Sequence, residues 1–197
     1  QHPAEGAGEF GVANGMGSRG IHRSGDLRVV DDGSNQADEV VDVDGTTRPT
    51  WQAVARALGS FEPDVLLASF HGVPQAYLDK GDPYYCHCMK TARLLREALE
   101  QRPEFAGVRF ATTFQSRFGP SRWLEPSTDA TLIAEGGKGT KRLVVAAPGF
   151  AADCVETLEE LALEGRDEFC EAGGEDYAVL DCLNTSDHGL AMIDAML

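Results

Sequence analysis

Four short apolar runs constrain this chain more than any other feature. They are Asp64–Phe70 (DVLLASF), Gly107–Phe114, Arg142–Ala147 (RLVVAA) and Tyr177–Leu183 (YAVLDCL). Each is too short for a stable helix and reads as a strand buried on both faces. Helical patterns separate them. Cys88, Ala92, Leu95 and Leu99 share one face of a helix over 86–101. Thr128 or Asp129 opens a short helix that weakens toward Gly136, Gly137 and Gly139. Asp153–Leu163 and Gly165–Ala172 form one bent helix or two, and a last helix starts near Asp187. A first helix carries Trp51, Val54, Ala55 and Leu58 and stops at Gly59. Strands alternating with helices predict an α/β fold: a parallel four-stranded sheet flanked by helices, Rossmann-like in outline.

Residues 1–50 differ from the rest of the chain. They hold nine of the 22 glycines, and Phe10 is their lone aromatic residue, so little there can build a core. At most, 27–30 and 39–43 form short strands. The expected division is an irregular N-terminal arm over 1–50 and an α/β domain over 51–197.

The formal net charge of -15 gives no electrostatic footprint for nucleic acid, so none is expected as a partner. No apolar run is long enough to cross a membrane. No basic patch followed by an apolar stretch marks a secretory signal. The five cysteines are odd in number, which suits reduced thiols in a cytoplasmic protein better than a disulfide framework.

A parallel sheet places all strand carboxyl ends along one edge, where ligands bind. His71 follows the first strand, Gln115 and Ser116 the second, and Phe150, Asp153 and Glu156 the third. An imidazole at a strand end serves as a base near neutral pH or as a metal ligand; it also serves as a structural cap. Asp153 and Glu156 have the spacing of a helix capping box, yet Glu156 can equally face the rim opposite His71. Trp123, in the loop 115–126, packs either on the protein or on a flat ligand. Cys86-His87-Cys88 supplies too few thiolates for a structural zinc site. The glycines of Gly136-Gly137-Lys138-Gly139-Thr140 precede a strand, whereas a phosphate loop precedes a helix.

Four stretches closely resemble the ferrochelatase (protoheme ferro-lyase) family: SFHGVPQAYLDKGDPYYCHCMKTARLL (69–95), TFQSRFGPSRWLEPSTDATL (113–132), PGFAADCVETLEELALEGRDEF (148–169) and GGEDYAVLDCLN (173–184). They occur in the family's order and cover about 51–197, the family's C-terminal half. Residues 1–50 do not resemble the first half. The resemblance implies a chelatase-like fold of two similar α/β halves with a porphyrin cleft between them. It implies insertion of Fe(2+) into protoporphyrin IX, with release of two protons, to form protoheme in heme biosynthesis. His71 and Glu156 correspond to the family's catalytic and metal-binding pair. Trp123, Phe150 and Asp153 correspond to residues that bind the porphyrin. No cofactor beyond the substrate Fe(2+) is implied, and the Cys spacing provides no four-ligand set for an iron–sulfur cluster. Two alternatives stay open: a chelatase for another tetrapyrrole such as coproporphyrin, and an inactive porphyrin-binding fragment lacking the first half.

Overall fold

The computed structural model describes residues 61–196 and the two-residue strand β1 (His22–Arg23). The helix expected around Trp51 to Leu58, and the strands suggested at 27–30 and 39–43, lie outside the described residues. The four expected strands form: β2 (Val65–His71), β3 (Arg109–Gln115), β4 (Arg142–Ala146) and β5 (Asp176–Val179). All pair in parallel, in the spatial order β5-β4-β2-β3. One addition departs from the sequence pattern. β1 joins the outer edge of β5, opposite Ala178 and Val179, where the sequence carries no strand signal.

Strand alternation sorts the core into two layers. Val65 and Leu67 of β2, Leu143 and Val145 of β4, and Tyr177 and Val179 of β5 point to one face. There they pack on Leu132 of α3 (Thr128–Gly137), on Leu161 and Ala162 of a π-helical segment (Glu156–Glu164), and on Phe169 of α4 (Gly165–Glu171). The opposite face carries Ala68, Phe70 and Phe114. It is covered by Cys88 and Ala92 of α2 (Tyr84–Glu100), two residues of the face read from the sequence. A short helix, α1 (Gln75–Asp79), precedes α2, and α5 (Asp187–Met196) closes the described chain.

Two elements end differently from their sequence pattern. β5 stops at Val179 instead of reaching Leu183. Its neighbour β4 ends at Ala146, so beyond the Leu180 N–H bond to the Val145 carbonyl (2.8 Å) no ladder partner remains among the described residues. The helix expected from Asp153 begins about a turn later and is widened into a π-segment before continuing as α4. Widening frees carbonyls from the usual ladder. The Tyr177 hydroxyl donates to one of them, on Leu161, at 2.9 Å. Gly165, where the segment passes into α4, lies so close to its neighbours that a Cβ would stand 2.8 Å from the Tyr177 hydroxyl.

Chain order fixes where a crevice opens. From β2 the chain crosses one face to β3, then returns over the other face to β4, on the far side of β2. The connections leaving β2 and β4 therefore depart toward opposite faces. Neighbouring strands of this kind form a topological switch point, with an opening beyond their carboxyl ends.

Candidate active site

His71 ends β2 at this opening. Along β2, the residues on the π-segment face run Val65, Leu67, Ser69, His71, so the stripe turns from apolar to polar toward the rim. The His71 ring lies 6.3 Å from the Phe150 ring, centroid to centroid. Its Nδ1 is 2.6 Å from the Gly72 carbonyl oxygen. A carbonyl only accepts, so Nδ1 carries the proton of the neutral ring and Nε2 holds the basic lone pair. The Tyr84 hydroxyl, at the start of α2, donates to the His71 carbonyl at 2.8 Å. Gly72 donates to the Gln115 carbonyl at 2.7 Å, which locks the strand end on which the imidazole stands.

Glu156 opens the π-segment on the other side of the switch point. A hydrogen bond from the Cys154 thiol, its own backbone N–H and the nearby positive charge of His71 hold its carboxyl below the usual range. Gln115 links the two residues: it pairs with His71 across the β2–β3 ladder, and its Nε2 donates to the Glu156 carbonyl at 2.9 Å. The capping box is not formed: the π-segment has no side-chain cap. Asp153 instead accepts from Asn184 Nδ2 (2.6 Å), Thr157 Oγ1 (3.0 Å) and the Cys182 N–H (3.3 Å). Burial opposes its ionisation, but these bonds outweigh burial and keep its pKa low. Asp153 thus ties the loop after β4 to the chain leaving β5.

Phe150 is half-buried beside His71. Trp123 is 7% exposed, and its indole N–H donates to the Phe118 carbonyl at 3.0 Å. Its ring lies against Gly72, where a Cβ would come within 3.3 Å of it. Phe118 stacks obliquely on Trp123 at 5.0 Å and is 74% exposed, so Phe118 is the accessible aromatic group of this loop.

A cavity of about 400 Å³ runs from Glu156 along the π-segment, lined by Ser116, Asp129, Glu159, Glu160, Glu164 and Glu168 among others. Its field favours cations. Burial, then the charges of Asp129, Glu164 and Glu160, raise the pKa of Glu168. Ser116 has φ 64°, a rare conformation for a residue with a side chain. Both its N–H (2.5 Å) and its hydroxyl (2.6 Å) are held by the Glu160 carboxylate. Among the described residues, no three His, Cys, Asp or Glu side chains are grouped to enclose an ion, and no helix is long and apolar enough to cross a membrane.

The structure therefore brings His71, Phe150 and the Glu156 backbone together, with Trp123 buried against Gly72 and Asp153 bonded to Asn184. Sequence reasoning missed Tyr84 and Asn184, which act on the site through backbone and side-chain contacts. It placed Gln115 on the rim, where Gln115 is nearly fully buried in the inner wall of the cavity. The alternation Ser69–His71, paired with Thr113–Gln115, was the available signal for that polar layer.

A parallel α/β sheet with a switch point, an imidazole and an aromatic ring at one strand end and an acidic segment tethered beside it defines an α/β domain with a crevice at its carboxyl edge. A family model described as Ferrochelatase matches residues 41–197, and the chain belongs to the ferrochelatase family. The ferrochelatase of Agrobacterium fabrum is 50% identical over 137 residues, covering 70% of this chain and 39% of that protein. That of Rhizobium meliloti is 52% identical over 134 residues, 68% of this chain and 38% of that protein. That of Francisella tularensis subsp. tularensis is 51% identical over 131 residues, 66% and 38% respectively. The chain spans about two fifths of the length of these relatives.

Proposed function

We propose that this chain inserts Fe(2+) into protoporphyrin IX in heme biosynthesis, acting in the cytoplasm. The observation that carries this reading is the His71–Glu156 pair, with the imidazole proton held on Nδ1 and Nε2 left basic. Metal insertion must remove two protons from pyrrole nitrogens and deliver a divalent ion to the same ring face. Nε2 of His71 accepts a proton, and Glu156 stabilises the imidazolium so formed or takes the second proton. The same nitrogen and oxygen donors hold Fe(2+) weakly, which suits an ion that must leave for the porphyrin. The acidic cavity running from Glu156 concentrates cations at that end of the site.

The porphyrin is held by its flat faces. Phe150 stands beside His71 and is the preferred ring contact. Trp123 and Asp153, both engaged with the protein, serve as supports: Trp123 backs Gly72 and carries Phe118, and Asp153 fixes the loop bearing Phe150 and Glu156. Binding a distorted macrocycle, with its N–H groups turned toward His71, directs binding energy to the transition state.

The deciding experiment is metalation by the purified 197-residue chain, with Fe(2+) and with Zn(2+), on protoporphyrin and coproporphyrin in parallel. Metal insertion that His71→Ala abolishes supports the reading. Faster turnover of coproporphyrin reassigns the substrate. Porphyrin binding with no insertion of either metal reassigns the chain as a binding fragment.

A further inference from the structure

Gln115 touches both halves of the site from the inner wall of the cavity that runs from Glu156. It pairs with His71 across the β2–β3 ladder, and its carbonyl accepts the Gly72 N–H at 2.7 Å. Its side chain is 2% exposed and lies on the π-segment side of the sheet. There Nε2 donates to the Glu156 carbonyl at 2.9 Å. Oε1 accepts from the Ser69 hydroxyl at 2.7 Å, and Ser69 is in turn 2.8 Å from the Thr128 hydroxyl. The amide can be placed only one way round, since its oxygen would repel the Glu156 carbonyl. The π-segment has no side-chain cap. A buried amide thus anchors its first residue.

We infer that Gln115 is a positioning residue that fixes Glu156 relative to His71, through its backbone on the His71 side and its side-chain amide on the Glu156 side. This inference rests on the metal-insertion reading proposed above. Gln115→Met removes the donor at nearly constant volume. Gln115→Glu keeps the shape but, when ionised, sets an acceptor against the Glu156 carbonyl.

The test is steady-state zinc insertion by the full chain, with each variant's melting temperature measured alongside. Both variants are expected to lose roughly tenfold or more in kcat with KM for porphyrin changed less than about twofold, because small misplacements of reacting groups are expensive. The ratio of Gln115→Glu to Gln115→Met activity should rise as pH falls, since a protonated carboxyl donates again. A kcat within twofold of the parent in both variants overturns the inference, as does a loss that merely follows melting temperature with a flat ratio. If Gln115→Met does not fold, Ser69→Ala decides: lower kcat at constant KM supports the role, and parental kcat overturns it. A parent chain that inserts no metal defeats the metal-insertion reading instead. Titration with Co(2+) then tests Gln115 by itself: affinity at least fivefold weaker in Gln115→Met supports the role, whereas equal affinity, or no binding by the parent, overturns it.

Discussion

Gly72 donates its N–H to the Gln115 carbonyl at 2.7 Å, and a Cβ on Gly72 would stand 2.8 Å from that same oxygen. The residue after His71 is therefore a glycine for lack of space, with Trp123 closing the other side at 3.3 Å. Gly72→Ala must push the strand end away from β3. A loss of about 1–3 kcal/mol is expected for such overpacking, visible as a lower urea midpoint. The displaced His71 should also lower metal insertion by more than the unfolded fraction explains.

His71 and Glu156 are predicted to matter for chemistry and little for stability. His71→Ala should leave the circular dichroism spectrum unchanged and reduce zinc insertion by roughly 10²-fold or more. Glu156→Gln should reduce turnover strongly with a melting temperature near the parent's, because no cap is lost with its charge. A clear drop in melting temperature with normal turnover would reverse that assignment.

Trp123 should behave in the opposite manner. It is buried and its indole N–H is already bonded, so Trp123→Ala is expected to destabilise by about 3–5 kcal/mol. Trp123→Phe keeps most of the packing and loses one hydrogen bond, about 0.5–1.5 kcal/mol. Porphyrin affinity, followed by fluorescence quenching, should change little in Trp123→Phe. A large loss of affinity in that stable variant would make the indole a direct ring contact.

One source of acid sensitivity lies far from the site. Glu135 is buried at the end of α3 and bonds Arg109 (2.7 Å), Thr140 (2.7 Å) and Lys138 (3.1 Å). The Arg109 hydrogen bond leads in holding its pKa at about 2, against an ordinary 4.5. A depressed folded-state pKa means stability that is fully present above the unfolded value and lost as pH falls through the folded one. The urea midpoint should therefore decline between about pH 4.5 and pH 2. Glu135→Gln should be less stable at pH 7, by about 1.5–3 kcal/mol for a lost charged hydrogen bond, and flatter across that acid range.

Much of this fold was legible because four apolar runs alternate with helical patterns, and a parallel sheet then dictates which edge collects the ligands. That placed His71, Glu156 and Phe150 together. Strand and helix ends were less legible. β5 stops early because β4 offers no partner beyond Ala146, which is a property of its neighbour and not of the run YAVLDCL. The π-segment depends on the Tyr177 hydroxyl and on space beside Gly165, both set by tertiary contact. Trp123 and Asp153 show the same limit. Their spacing fits a cleft and a cap, but partners distant in sequence, such as Asn184 for Asp153, determine what they do.

The opening at the β2–β4 boundary follows from the path of the chain and not from the residues that line it. Substituting His71 or Glu156 changes what occupies the seat and leaves the seat itself intact. This makes the domain a forgiving host for redesign. Libraries that randomise rim positions for other metals or flat ligands should return mostly folded proteins, whereas changes to Gly72 or Gly165, where a Cβ would collide with packed neighbours, should return few.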